Sequence, residues 1–125
     1  MSGVMARARQ IFDIWRAERQ SPPAVVVSER FVDENGAVLC FYLRALKAVD
    51  AAAILRRHTA AGAVDVYDFF ADYLAASVVA PDLTDSALLA RHGASGSGEL
   101  LQKMLFTHEY ERLAAAVGRL QGYEI

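Results

Sequence analysis

Hydrophobic positions along the chain follow two different spacings, and the change from one to the other divides it. Val4, Met5, Ala8, Ile11, Phe12 and Trp15 keep the i, i+3/i+4, i+7 rule, so residues 4–19 are expected to form an amphipathic helix. Ser21-Pro22-Pro23 ends it and acts as a short stiff spacer. A β-branched run then starts at Val25-Val26-Val27 and continues to Val32, and a return strand covers residues 38–45. Asp33-Glu34-Asn35-Gly36 is the turn between them. A three-residue loop, Glu34-Asn35-Gly36, with Gly36 left-handed, is the register that groups Val27, Phe31, Leu39, Phe41 and Leu43 on one face. Val38, Cys40 and Tyr42 fall on the other face.

After Leu46 the spacing is helical, and no third strand is expected. Residues 47–59 form an alanine-rich helix that turns Val49, Ala52, Ala53 and either Ile54 or Leu55 inward, and residues 60–63 link it to the next. Residues 66–80 read as the hub of the fold. Phe69, Phe70, Tyr73, Leu74 and Ser77 recur on one stripe, and Tyr67, Ala71 and Val78 widen it until most of the circumference is apolar. Asp65 is its N-cap and Pro81 its stop. Thr84 caps a short helix over 85–91, which Gly93 ends. A helix over 99–106 follows, and Thr107 caps the last, whose buried stripe is Tyr110, Leu113, Ala114, Val117 and Leu120. The expected class is α+β and mostly α-helical: an N-terminal helix, one β-hairpin, then a bundle of about five helices. The chain divides as residues 1–20, 24–46 and 47–125 of a single domain.

Composition narrows the function without supplying one. The 125 residues are 54% hydrophobic, enough for a core, and the net charge of −2 gives no footprint for nucleic acid. No uncharged apolar run approaches a membrane span. The lone Cys40 fits a reducing compartment, so the expectation is a soluble cytoplasmic protein. His58, His92 and His108 lie near the ends of three elements and share no metal-ligand spacing. Arg56, Arg57 and His58 complement the helix dipole where they stand. The glycine-rich stretch 93–99 lacks the Gly-Lys-Ser/Thr ending of a phosphate loop, and Ser77 lacks a nucleophile elbow. Neither an enzyme nor a cofactor site is expected.

The ordered pieces resemble the phage tail assembly chaperone family of the XkdN-like type. They are Ile11-Phe12-Asp13-Ile14-Trp15, Ser28-Glu29-Arg30-Phe31-Val32-Asp33-Glu34-Asn35-Gly36 and Phe41-Tyr42-Leu43-Arg44-Ala45-Leu46. Next come Val78-Val79-Ala80-Pro81-Asp82-Leu83-Thr84-Asp85-Ser86-Ala87-Leu88, the Gly93 hinge and Glu99-Leu100-Leu101-Gln102-Lys103-Met104-Leu105. Glu109-Tyr110-Glu111-Arg112-Leu113 and Gly122-Tyr123 close the set. Two departures, Lys47-Ala48 and Thr107-His108, stand at helix starts. The resemblance implies a non-enzymatic chaperone in the cytoplasm of a bacterial host. It would bind the tape measure protein, keep its apolar helices soluble and pass it to the tail tube protein, and it would be absent from the mature virion. Relatives are often made in two lengths by a translational frameshift, and this chain would be the short form. The alternatives are a small-ligand-binding or regulatory domain that uses the aromatic hub as its pocket, or an adaptor module. The expected protein-interaction residues are Phe12, Trp15, Val26, Val38 and Tyr42. The uncovered edge and second face of the hairpin point to a homo-oligomer.

Overall fold

The computed structural model describes residues 23–122. The expected first helix, with Phe12 and Trp15, and the expected fold-back of Tyr123 and Ile125 lie outside them. In chain order the elements are β1 (Ala24–Val25), β2 (Phe41–Leu43), α1 (Ala48–Arg57), β3 (Thr59–Ala60), β4 (Ala63–Val64), α2 (Val66–Ala76), β5 (Val78–Ala80), α3 (Ser86–His92), α4 (Ser97–Met104) and α5 (Thr107–Leu120). The fold is α+β and mostly helical, as the spacing predicts.

The turn of the first hairpin has the expected register. Val32 bridges Val38, the Asp33 N–H donates to Ala37 O at 2.9 Å, and Gly36 takes φ 82°. Its first strand is not continuous, however. Ala24 pairs with Tyr42 and Val25 with Phe41, four residues out of step with the Val32–Val38 bridge. The excess is absorbed by a turn in which the Phe31 N–H reaches Ser28 O. That turn sends Val27 and Ser28 into the interior and frees Arg30 to point at the helices. Phe41 and Leu43 are buried with Val27 as expected, whereas Leu39 lies on the projecting arm, 47% exposed.

The hub helix is four residues shorter than its apolar pattern suggests, and a third strand follows it. Residues 78–80 leave the helix and pair antiparallel with β2, giving the sheet order β1-β2-β5. The Arg44 N–H donates to Ser77 O at 2.8 Å and extends this ladder. Val78 and Val79 are β-branched and suit a strand once a partner edge is present. That edge lies some 35 residues back in the chain, beyond the reach of local spacing. The Ala80–Pro81 peptide is cis. The link at 60–63 is likewise a hairpin, β3–β4, whose two turn residues Ala61 and Gly62 both have positive φ.

Capping follows the sequence where a side chain can reach. Asp65 Oδ1 accepts from the Asp68 N–H at 3.2 Å, and Gly93 ends α3 in the left-handed region. Asp85 rather than Thr84 caps α3, accepting from Leu88, because the Thr84 hydroxyl is turned back onto Asp82. At the two helix starts that depart from the resemblance, Lys47 and, in place of the expected Thr107, Phe106 are extended N-cap residues that supply no capping oxygen. Gly96 is the extended N-cap of α4, which begins at Ser97 within the glycine-rich stretch and ends at Met104. On α1, Ile54 is buried while Val49 and Leu55 face outward.

The core is built from Leu74 and Ala75 of α2, Leu100, Leu101 and Met104 of α4, and Leu113, Ala116 and Val117 of α5. Val27, Phe41 and Leu43 come to it from the sheet. α2 and α4 approach so closely at Gly98 that a Cβ there would lie 2.1 Å from Asp72 Oδ1 and 3.1 Å from the Ala71 backbone carbon. The glycine-rich stretch is therefore a packing contact as well as a connection.

Candidate functional site

Arg30 is the residue through which the sheet side and the helices meet. Its guanidinium forms a fork on Glu109 of α5, Nε to Oε2 and Nη2 to Oε1, both at 2.7 Å, and Nη2 also donates to Met104 O. Glu109 is wholly buried. Its Oε1 also accepts from the Phe106 N–H at 2.8 Å, which satisfies an amide at the helix start where Phe106 itself has no capping oxygen. Bonds from Arg30, opposed by burial and helped by Ser28 and Phe106, hold the Glu109 carboxyl down to about 2. The same hydrogen bonds raise Arg30. The Arg30 guanidinium carbon also sits 4.4 Å from the Phe31 ring centre and 4.9 Å from that of Phe106. One turn along α5, Arg112 donates to Val27 O at 2.9 Å.

Helical spacing puts Glu109 in the first turn of the last helix but gives no partner for it and no role to Arg30. Their pairing spans 79 residues. A local signal did exist, in an acid at N3 behind an apolar N-cap that cannot serve the helix amides.

Large apolar side chains are exposed on α2 and at the start of α5. Val66, Tyr67 and Phe70 share one side of the first two turns of α2. Tyr67 is 83% exposed and Phe70 40%. Phe70 meets Tyr110 of α5 edge to face, ring centres 6.3 Å apart. Phe106 lies one turn before Tyr110, is 63% exposed, and stacks on His108. The expected core role of Phe70 is thus corrected. The interior side of α2 is Ala71, Leu74 and Ala75, and its aromatics flank the core. Ser77 is buried, its hydroxyl donating to Tyr73 O at 3.0 Å, as expected for a structural serine.

Val26, Val38 and Tyr42 are all half-exposed. Val38 stands on the hairpin arm and Tyr42 on the outer side of β2. Two clefts open elsewhere. One of about 400 Å³ lies between Arg44, Arg57, Pro81, Thr84 and Ser97. The other, about 320 Å³, is lined by Pro23, Ala24, Val25, Leu43, Ala116, Arg119 and Leu120. Neither is lined by Phe69, Phe70 or Tyr73. His58 contacts Asp72 at 2.6 Å and ties α1 to α2. Among the described residues no three metal-ligating side chains gather, and no helix is long and apolar enough to cross a membrane.

No curated protein matches the chain. Among solved structures, the crystal structure of the protein YqbN superposes with a TM-score of 0.74 over 82% of this chain and 86% of that one. At 21% identity this likeness establishes the fold. The family model for the phage XkdN-like tail assembly chaperone protein matches residues 15–125. That span includes Arg30 and Glu109, both clefts and the exposed aromatic residues. The chain therefore belongs to the XkdN-like phage tail assembly chaperone family.

Proposed function

We propose that the protein binds the tape measure protein in the cytoplasm of the bacterial host, keeps its apolar helices soluble, and releases it to the tail tube protein without catalysing a reaction. It would then be absent from the finished virion. The observation that carries this reading is the set of exposed Val66, Tyr67 and Phe70 on α2 and Phe106 at the start of α5, with the partly buried Tyr110 meeting Phe70 between the two helices. Large apolar side chains side by side in water are what an amphipathic partner helix covers, and aromatic anchors dominate such contacts. Phe12 and Trp15, outside the described residues, are proposed as further apolar anchors for the partner.

The test is co-expression of the full chain with the tape measure protein, followed by measurement of the soluble tape measure fraction. Val66→Ser with Tyr67→Ser removes two outward side chains from the first turn of α2. The tape measure protein should then precipitate, while the variant keeps its own helical circular dichroism. Undiminished solubilisation by the folded variant would refute this surface as the client site.

A further inference from the structure

We propose that the hairpin arm of one copy seats in the apolar cleft at the opposite end of the hairpin of a second copy, giving a head-to-tail contact. The arm is the segment 31–39. Its Val32–Val38 bridge lies beyond the point where the ribbon leaves the helices, and Val32, Val38 and Leu39 are each about half-exposed. At its tip Asp33 is occupied internally, accepting from Asn35 and Ala37, which leaves Glu34 as the outward acid.

The cleft of about 320 Å³ has the complementary character. Val25, Leu43, Ala116 and Leu120 form its apolar wall, and Arg119 stands on its rim as its charged group. Two small β-branched side chains with one acid beside them match an apolar trough with one base beside it. The cleft flanks the Ala24–Tyr42 end of the ribbon and the acid lies at the turn. At roughly 3.3 Å per residue these are about 23 Å apart. The arm and its own cleft lie at opposite ends of the hairpin, so the proposed occupant is the arm of a second copy. A contact between two different patches repeats, closing into a ring or continuing as a filament. This contact is separate from the client surface on α2 and α5, so either can fail without the other.

The experiment is sedimentation velocity on the full chain, from micromolar to submillimolar concentration, with Glu34→Arg, Arg119→Glu, the double exchange and Val38→Lys. The three positions changed, 34, 38 and 119, are all exposed, and circular dichroism checks folding. The chain should self-associate, and each single change should weaken association on the order of tenfold. The double exchange should restore most of it. A wild-type chain that stays monomeric throughout overturns the proposal. So does an oligomer unaffected by the single changes, or a double exchange that restores nothing. Weakening by Arg119→Glu but not by Glu34→Arg would give the cleft another occupant, such as the segment before Pro23, and would equally overturn the arm's role.

Discussion

The α2–α4 contact and the hairpin–α5 join hold neighbouring parts of the same molecule by opposite means. At the first, backbones approach until Gly98 has no room for a methyl group, and Leu74, Leu100 and Leu101 fill the space beside it. At the second, a buried carboxylate, a guanidinium and a main-chain carbonyl do the joining through Arg30, Glu109 and Arg112. Close apolar packing is nearly indifferent to pH and sensitive to a single carbon atom. A buried carboxylate held by a half-exposed guanidinium instead depends on charge and direction, and is weakened when its donor is removed. The hairpin, whose arm projects away from the core, is thus fixed by the directional contact.

The largest effect is expected at the ionic join. Arg30→Met leaves the buried Glu109 carboxylate without its main donors, and because the guanidinium is half-exposed and partly screened by water, unfolding by denaturant should show a loss of about 2–3 kcal/mol at neutral pH. The sign of the pH dependence follows from the depressed carboxyl. The folded value, about 2, lies below the ordinary 4.5, so the native pair contributes fully above about pH 4.5 and loses that contribution as pH falls toward 2. In Arg30→Met, protonation instead relieves a buried charge, and the gap between variant and wild type should narrow across that interval. A gap that is constant with pH would mean that the lost packing on Phe31 and Phe106, not the charge, accounts for the change.

Close packing gives the next effect. A Cβ at residue 98 meets the backbone of Asp72 at 3.0 Å and of Ala71 at 3.1 Å, besides the Asp72 carboxylate. The carboxylate can swing aside, but the backbone cannot move unless the helices part. Gly98→Ala should therefore cost about 1–3 kcal/mol although alanine is the better helix former. Unchanged or raised stability would show that α2 and α4 are less tightly apposed than the described contact.

The two regions also differ in how far local sequence could announce them. Turn chemistry at Asn35-Gly36, the cap at Asp65 and the left-handed end at Gly93 are local, and each stands where the residues place it. Leu113 and Val117 of the expected stripe are buried for the same reason, since helical spacing repeats within a few residues, while Tyr110, Ala114 and Leu120 flank them partly buried and Ala116 is the further buried residue. Val78 to Ala80 read as helix because their apolar run adjoins one, and the strand they pair with is distant in sequence. Phe70 reads as core because spacing shows which side is apolar but not whether another element covers it. Arg30 and Glu109 fall on different elements far apart, so the polar part of the candidate site was the least legible. The exposed positions Val38 and Tyr42 were accessible to the alternation of the hairpin.

The smallest effect distinguishes a single ion pair from a cooperating polar join. Arg112 donates to the carbonyl of Val27, a residue with no exposed surface, from a side chain that is itself largely in water. Arg112→Met keeps most of the apolar stem and removes the donor, so the expected loss is about 1 kcal/mol, the usual net value of one such bond. Val27 and Arg30 sit in the same short turn, and Glu109 and Arg112 are three residues apart on α5. If the turn is held as one unit, releasing it at Arg30 should already forfeit part of what Arg112 contributes. The double variant Arg30→Met with Arg112→Met should then lose less than the sum of the two, with a coupling of about 0.5 kcal/mol or more. Additive losses within about 0.3 kcal/mol would instead mean that the two arginines act independently, and that Arg30 with Glu109 alone orients the hairpin.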